Sequence, residues 1–200
     1  MIGSMTRAGF ILAGGASVRM GRDKALLPHG AGTLVEHVAA AVRAVAGSVT
    51  LVGAPERYDF LGLPAIPDRQ PGSGPLEGIA TALERTDAEW NLIVACDLPG
   101  VTTGLFSLLF SRADASRCDC VIPRLPDGSL QPLCGVYHRG CRGPLSSALE
   151  RGVRKVYDAL AGLRVHPVDV QDAGDLVNLN TPAEWDDYRS RHQSDAAGPG

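Results

Sequence analysis

The stretch ILAGGASVRMGRDKALL (Ile11–Leu27) places the glycine pair Gly14–Gly15 after an apolar run, with Arg19, Asp23 and Lys24 close behind. A glycine pair in that position lets the backbone approach a ligand and point N–H groups at it. Ser17 adds a hydroxyl donor, Arg19 a two-pronged cation and Lys24 a mobile point charge, a set that suits the oxygens of a triphosphate. The loop is not a Walker A motif: Gly21 comes one residue too late after Gly15, and Arg22 stands where the lysine is needed. Nor does it fit G-x-G-x-x-G. On composition alone, a strand-to-helix turn with solvated charges is an equal alternative. Asp97, just past the apolar run Asn91–Ala95 (NLIVA), is the second chemical signal. A carboxylate at a strand end can hold Mg²⁺, which takes one or two carboxylates and completes its shell with phosphate oxygens and water.

Positioning these groups requires a scaffold of alternating elements. Ala8–Leu12, Val49–Val52, Pro64–Pro67 and Asn91–Ala95 read as short buried strands. Between them, Leu34–Ala46 carries helical spacing with Thr33 as cap, and the loop Gly72–Pro75 turns into the helix GPLEGIATALER, with Pro75 suited to the first turn. Thr102 or Thr103 caps TTGLFSLLFSRA. Cys120–Pro123 and Gln131–His138 read as strands joined by the turn Pro126–Ser129, Arg142–Arg151 as a helix and Leu163–Val170 as a strand; a helix follows Pro182. The alternation predicts a three-layer α/β/α domain around a mostly parallel central sheet. Ligands bind such sheets at the carboxyl ends of strands, where the glycine loop and Asp97 would share one cleft.

The 200 residues fit one domain over 8–190, with 1–7 as an N-terminal tail or cloning scar and 191–200 as a disordered tail. The net charge of -3 gives no general attraction to nucleic acid or an anionic membrane, so phosphate recognition has to be local. No apolar run approaches the roughly 18 residues of a membrane helix and no secretory signal is evident, which points to the cytoplasm. The five cysteines lack zinc spacing and read as reduced thiols packed mostly in the core. The five histidines show no metal or triad spacing, and Ser146–Ser147 lacks the setting of a nucleophile.

Position by position, Leu12–Gly15, Ser17, Arg19–Gly21, Asp23, Lys24 and Leu26 resemble the loop L-A-G-G-x-S-x-R-M-G-x-D-K-x-L of the molybdenum cofactor guanylyltransferases, nucleotidyltransferases of Rossmann-like fold. Asp68 ahead of Gly74-Pro75-Leu76-Glu77-Gly78, the strand-end motif Cys96-Asp97-Leu98-Pro99, Gln131-Pro132 and the segment NLNTPAEW extend the likeness over about residues 8 to 188. The last segment departs from N-x-N-T-P-E by Ala183, inserted before Glu184.

The resemblance implies transfer of GMP from Mg-GTP to the terminal phosphate of molybdenum-bearing molybdopterin, with loss of pyrophosphate. It assigns Lys24 and Arg19 to the triphosphate, the backbone of Leu12, Ala13, Gly14 and Gly15 to the nucleotide, Asp68 to its ribose or base, and Asp97 to Mg²⁺. Gly53 departs from relatives that carry asparagine there and offers the base only backbone. Asn178 and Asn180 would complete the metal shell or bind the second substrate's phosphate, or form an Asx turn before the helix; Arg124 and Arg154–Lys155 would meet an anionic pterin or simply be solvated. Molybdenum-insertion proteins and molybdoenzyme apoproteins are the implied partners. The alternatives are a cytidylyltransferase on the same pterin, whose loop usually reads A-A-G rather than Ala13-Gly14-Gly15, a guanylyltransferase on another phosphorylated metabolite, a non-catalytic nucleotide-binding regulator, and a cofactor carrier.

Overall fold

A computed structural model of the chain describes residues 6–14, 23–171, 173–176, 179 and 181–193. The first strand, β1 (Arg7–Leu12), alternates its side chains between two helical layers: Ile11 enters one core and Phe10 the other. After a short 3-10 turn at Lys24–Leu26 come a two-residue hairpin, β2 (Pro28–His29) and β3 (Gly32–Thr33), and helix α1 (Leu34–Ala46). The Glu36 carboxylate accepts from the Thr33 N–H at 2.8 Å and the Thr33 hydroxyl at 2.7 Å, so the expected cap works through its N3 partner. Helix α1 packs so closely on β1 that a Cβ on Gly9 would lie 2.2 Å from Val42.

The chain continues through β4 (Thr50–Gly53), α2 (Pro55–Tyr58), β5 (Ala65–Pro67), α3 (Pro75–Glu84), β6 (Trp90–Ala95) and α4 (Thr103–Ala115). Thr102 caps α4 by accepting from the Leu105 N–H at 3.2 Å. Then follow β7 (Cys120–Arg124), β8 (Cys134–His138), α5 (Arg142–Glu150), α6 (Val156–Leu160), β9 (Val165–Asp169) and α7 (Pro182–Gln193).

Seven strands form one sheet in the order β5-β4-β1-β6-β8-β7-β9. All adjacent pairs are parallel except those of β8, which runs against β6 and β7. Helices α1 and α4 cover one face with Trp185 of α7, and α3, α5 and α6 cover the other. β6 is buried along its whole length, as expected of an inner strand covered on both faces. β1 and β6 are neighbours and are followed by helices on the same face, but the chain then moves outward in opposite directions, to β4 from β1 and toward β8 and β7 from β6. That divergence opens a crevice above their carboxyl ends.

The differences from the sequence reading are local. The hairpin, α2 and α6 are too short to carry a hydrophobic period. The strand expected from Gln131 starts at Cys134, because Gln131–Leu133 is still completing the connection: the Gln131 N–H donates to Pro123 O at 2.9 Å and Ala95 N–H to Leu133 O at 2.7 Å. Strand β1 begins at Arg7, and α7 extends to Gln193, past the domain limits of 8 and 190 read from the sequence. None of the five cysteines is in a disulfide; Cys120, Cys134 and Cys141 are buried. No helix among the described residues is long and apolar enough to cross a membrane.

Candidate active site

β1 ends at Leu12, whose carbonyl accepts from the Cys96 N–H at 3.2 Å, while the Ala13 N–H donates to Val52 O at 2.8 Å. The start of the glycine loop is therefore clamped between the ends of β4 and β6, and Asp97 follows at once. Across the crevice mouth, Lys24 Nζ lies 3.5 Å from Asp97 Oδ2, with their side chains 15% and 22% exposed. Burial pushes the Asp97 carboxyl above its ordinary value, and the Lys24 ammonium pulls it back. The neighbouring Cys96 thiol is half-buried; desolvation, then the Asp97 carboxylate, pushes it up to about 12, so it is inert as a nucleophile at neutral pH.

Lys24 is held there by Asp23. The Asp23 carboxylate caps the Lys24–Leu26 turn by accepting from the Ala25 N–H at 3.1 Å, takes a hydrogen bond from the Tyr58 hydroxyl at 2.9 Å, and has Arg57 Nη1 at 3.6 Å.

A second cluster adjoins the first through Gly14. A Cβ on Gly14 would lie 2.6 Å from Asp68 Oδ2 and 3.2 Å from Gly53 Cα, so only glycine permits the contact. The Asp68 N–H donates to Gly53 O at 3.3 Å. Among the described residues Asp68 Oδ1 is buried without a hydrogen-bond partner, and burial followed by the nearby Glu77 carboxylate raises the Asp68 carboxyl. Glu77 is itself buried and is neutralised by Arg69, whose Nε lies 2.8 Å away and which also pairs with Glu84. An orphaned carboxylate oxygen beside glycine backbone is suited to a donor from a bound molecule.

The structure thus brings Leu12, Ala13, Gly14, Lys24, Gly53, Asp68 and Asp97 to one rim of the sheet. Gly15, Ser17, Arg19, Gly21, Asn178 and Asn180 lie outside the described residues. Leu179 N–H donates to the Asp97 carbonyl oxygen at 3.3 Å, so its segment meets the site's floor. Two cations named from the sequence have partners of their own. Arg124 forms a two-pronged pair with Asp169 at 2.6 and 3.0 Å, and Arg154 Nη1 donates to Leu149 O and Val153 O at 2.9 and 3.0 Å. The sequence reading did not assign roles to Asp23, Arg57 or Tyr58. Pro55 two residues past Gly53 is a helix-start signal that could have drawn attention to them.

As a cation site, Asp97 offers one carboxylate, and the described residues include no cluster of three or more His, Cys, Asp or Glu able to enclose a metal. That donor set fits a hard divalent ion that keeps most of its shell for phosphate oxygens and water. The Lys24 ammonium, a cation already seated against that carboxylate, shows that the position accepts positive charge.

Residues 9–165 match the MobA-like NTP transferase domain. The chain belongs to this family and is a nucleotidyltransferase. It is 34% identical over 183 residues to a protein of Carboxydothermus hydrogenoformans named "Probable molybdenum cofactor guanylyltransferase", an alignment covering 88% of this chain and 91% of the relative. Its fold matches that of molybdopterin-guanine dinucleotide biosynthesis protein A from Archaeoglobus fulgidus with a TM-score of 0.80 and 22% identity, covering 94% of this chain and 99% of that one. It also matches 2-C-methyl-D-erythritol 4-phosphate cytidylyltransferase from Thermus thermophilus with a TM-score of 0.71 and 20% identity, covering 94% of this chain and all of that one. Both likenesses speak for the fold, which serves enzymes of different nucleotide choice.

Proposed function

We propose that this nucleotidyltransferase moves GMP from GTP onto the terminal phosphate of molybdopterin carrying molybdenum, forming its guanine dinucleotide. The observation that carries the reading is the approach of Lys24 Nζ to Asp97 Oδ2 at 3.5 Å, beside the backbone of Ala13 and Gly14. The guanine and pterin identities are supported by the names of relatives at about a third identity and by the Ala13-Gly14-Gly15 loop.

In this mechanism an oxygen of the acceptor phosphate forms a bond to the α-phosphorus of GTP. The bond from that phosphorus to the α–β bridging oxygen breaks, and pyrophosphate leaves with the electron pair. No general base is needed, because a phosphate monoester with a second pKa of about 6 is already ionised at neutral pH. The barrier is the meeting of two anions, so catalysis consists of positioning and charge cancellation. Lys24 offsets charge on the triphosphate, Arg19 is assigned the same duty, and the backbone at Leu12–Gly15 cradles the nucleotide. Asp68 accepts a hydrogen bond from its ribose or base, while Asn178 and Asn180 serve the acceptor phosphate or the metal shell. Asp97 would hold Mg²⁺, which supplies charge neutralisation on the phosphates when bound.

The test is incubation with molybdopterin, Mg²⁺ and each of four nucleoside triphosphates, with the product identified by mass. The guanine dinucleotide is expected; a cytosine dinucleotide would reassign the base, and tight GTP binding without pyrophosphate release would remove the catalytic reading. Asp97→Ala is expected to lower turnover by at least ~10²-fold. A near-normal rate in saturating Mg-GTP would refute that role.

A further inference from the structure

The Tyr58 side chain stands at the centre of the first cluster, yet it contributes no charge to it. It is 2% exposed and ends α2, the short helix that follows Gly53. Its hydroxyl lies 3.1 Å from the Ala13 carbonyl oxygen and 2.9 Å from Asp23 Oδ2, sharing one proton between the two acceptors. Ala13 is the residue ahead of Gly14, and Asp23 the residue ahead of Lys24. One buried hydroxyl therefore connects the two ends of the segment that carries the glycine pair.

We propose that Tyr58 is a positioning residue: its hydroxyl staples Ala13 to Asp23 and thereby fixes where the Lys24 ammonium sits. For its kinetic consequences the inference rests on the nucleotidyltransfer reading; the geometry stands without it.

The staple acts through Asp23. With the hydroxyl present, Asp23 Oδ2 accepts its hydrogen bond while Oδ1 caps the turn through the Ala25 N–H. Both oxygens are engaged, which fixes the direction in which the carboxylate points. Without the hydroxyl, the remaining partner of Oδ2 is Arg57, 3.6 Å away with a side chain 47% exposed, a pair that water screens. Asp23 can then turn toward Lys24, and the ends of the segment are held together by one restraint fewer. Burial raises the phenol's ionisation far above neutral pH, so the proton donor persists across the working range. Had the side chain served packing alone, the ring would suffice and the hydroxyl would be a liability, since a buried polar group without a partner is costly.

The test is Tyr58→Phe, which keeps the ring and removes the hydroxyl. Two quantities are read well below the variant's Tm. In Mg-GTP with acceptor, kcat is expected to fall about tenfold or more while KM for GTP changes less than threefold, because the misplaced charge matters most as pyrophosphate departs. By hydrogen exchange, the Ala25 amide is expected to exchange about tenfold faster, while that of Ile93 in β6 is unchanged. Asp23→Asn probes the same bond from the acceptor side and stands in if Tyr58→Phe does not fold. It is expected to lower kcat comparably, and the double variant to be no worse than the more damaging single one. Unaltered Ala25 exchange, or a kcat within twofold of an active wild type, overturns the staple. Should the wild type transfer no nucleotide at all, the functional reading fails, and the exchange measurement still decides the staple on its own.

Discussion

Gly53→Ala is the substitution for which the structure supplies the sharpest expectation. Gly53 has φ +148°, in the region that side chains avoid, and a Cβ there would stand 2.6 Å from Gly14 N, 2.8 Å from Gly14 Cα and 2.9 Å from Ala13 C. All three neighbours are backbone atoms, two strands' ends in contact, so no rotamer change relieves the clash. Backbone strain of about 1–3 kcal/mol adds to an overpacking cost of similar size, which makes a loss of roughly 2–6 kcal/mol. In a domain of this size that corresponds to a Tm lower by roughly 4–24 °C. The control is Gly47→Ala, at φ +77° with nothing within 4 Å of the added carbon. It carries only the conformational penalty, about 1–2 kcal/mol. Thermal unfolding of both variants separates crowding from strain, and a GTP titration shows whether Gly14 has been displaced, with affinity expected to weaken about tenfold for Gly53→Ala alone. Equal Tm losses in the two variants, or full GTP affinity in Gly53→Ala, would refute the contact. The same geometry says that an asparagine at this position is not accommodated by this loop without a shift of Ala13 and Gly14.

Two further predictions concern stability. Asp119 accepts from Arg164 Nη2 at 2.7 Å, Nε at 3.1 Å and the Arg164 N–H at 2.8 Å, and these contacts hold its carboxyl below the ordinary aspartate value. A folded-state pKa below the unfolded one stabilises above the unfolded value and ceases to as pH falls through the folded value. Asp119→Asn is therefore expected to cost about 0.5–1 kcal/mol at pH 7, a modest figure because Arg164 is largely exposed, and progressively less as pH falls through the folded-state value; urea titrations of both proteins at pH 7 and at a series of lower pH values check the trend. Thr181→Ala is expected to cost about 1 kcal/mol, since Thr181 Oγ1 accepts from the Glu184 N–H at 3.2 Å and Glu184 returns a bond to the Thr181 N–H at 2.9 Å; a Tm unchanged within 1 °C would contradict the cap.

Much of the architecture could be read in the chain because its signals are long or chemically marked. Leu34–Ala46 has both an amphipathic period and a Thr33–Glu36 cap, and its helix has those limits. The run NLIVA announces a strand buried on both faces. What escaped is short or non-local. Nothing in GVYH distinguishes an antiparallel strand from a parallel one; β8 takes its direction from the return of the chain after Pro126–Ser129, with Gly128 at φ +86°. In the site, Asp97 was legible as a charge just past the apolar run Asn91–Ala95, and Lys24 as a cation within the glycine loop. The contribution of Tyr58 was not, because it depends on a hydroxyl reaching Ala13 and Asp23 from a four-residue helix without a period. Ala183, an interruption of the motif in sequence terms, acquires a reason in three dimensions: it sets Glu184 three residues after Thr181, the spacing that the reciprocal cap requires.

The amide of Leu179 reaches the carbonyl of Asp97, and just beyond it Trp185 and Tyr188 lie beside His29, with ring centroids 6.4 and 6.3 Å away. The rim is thus built from stretches that leave the ribosome far apart in time. At about 5–20 residues per second, on the order of ten seconds separate the emergence of Lys24 from that of Leu179. For the second half of that interval the nascent polypeptide carries both its lysine and its aspartate but lacks the late segment that meets them. A translation product that stops before Leu179 consequently presents Asp97 without the backbone hydrogen bond that its carbonyl accepts in the full chain.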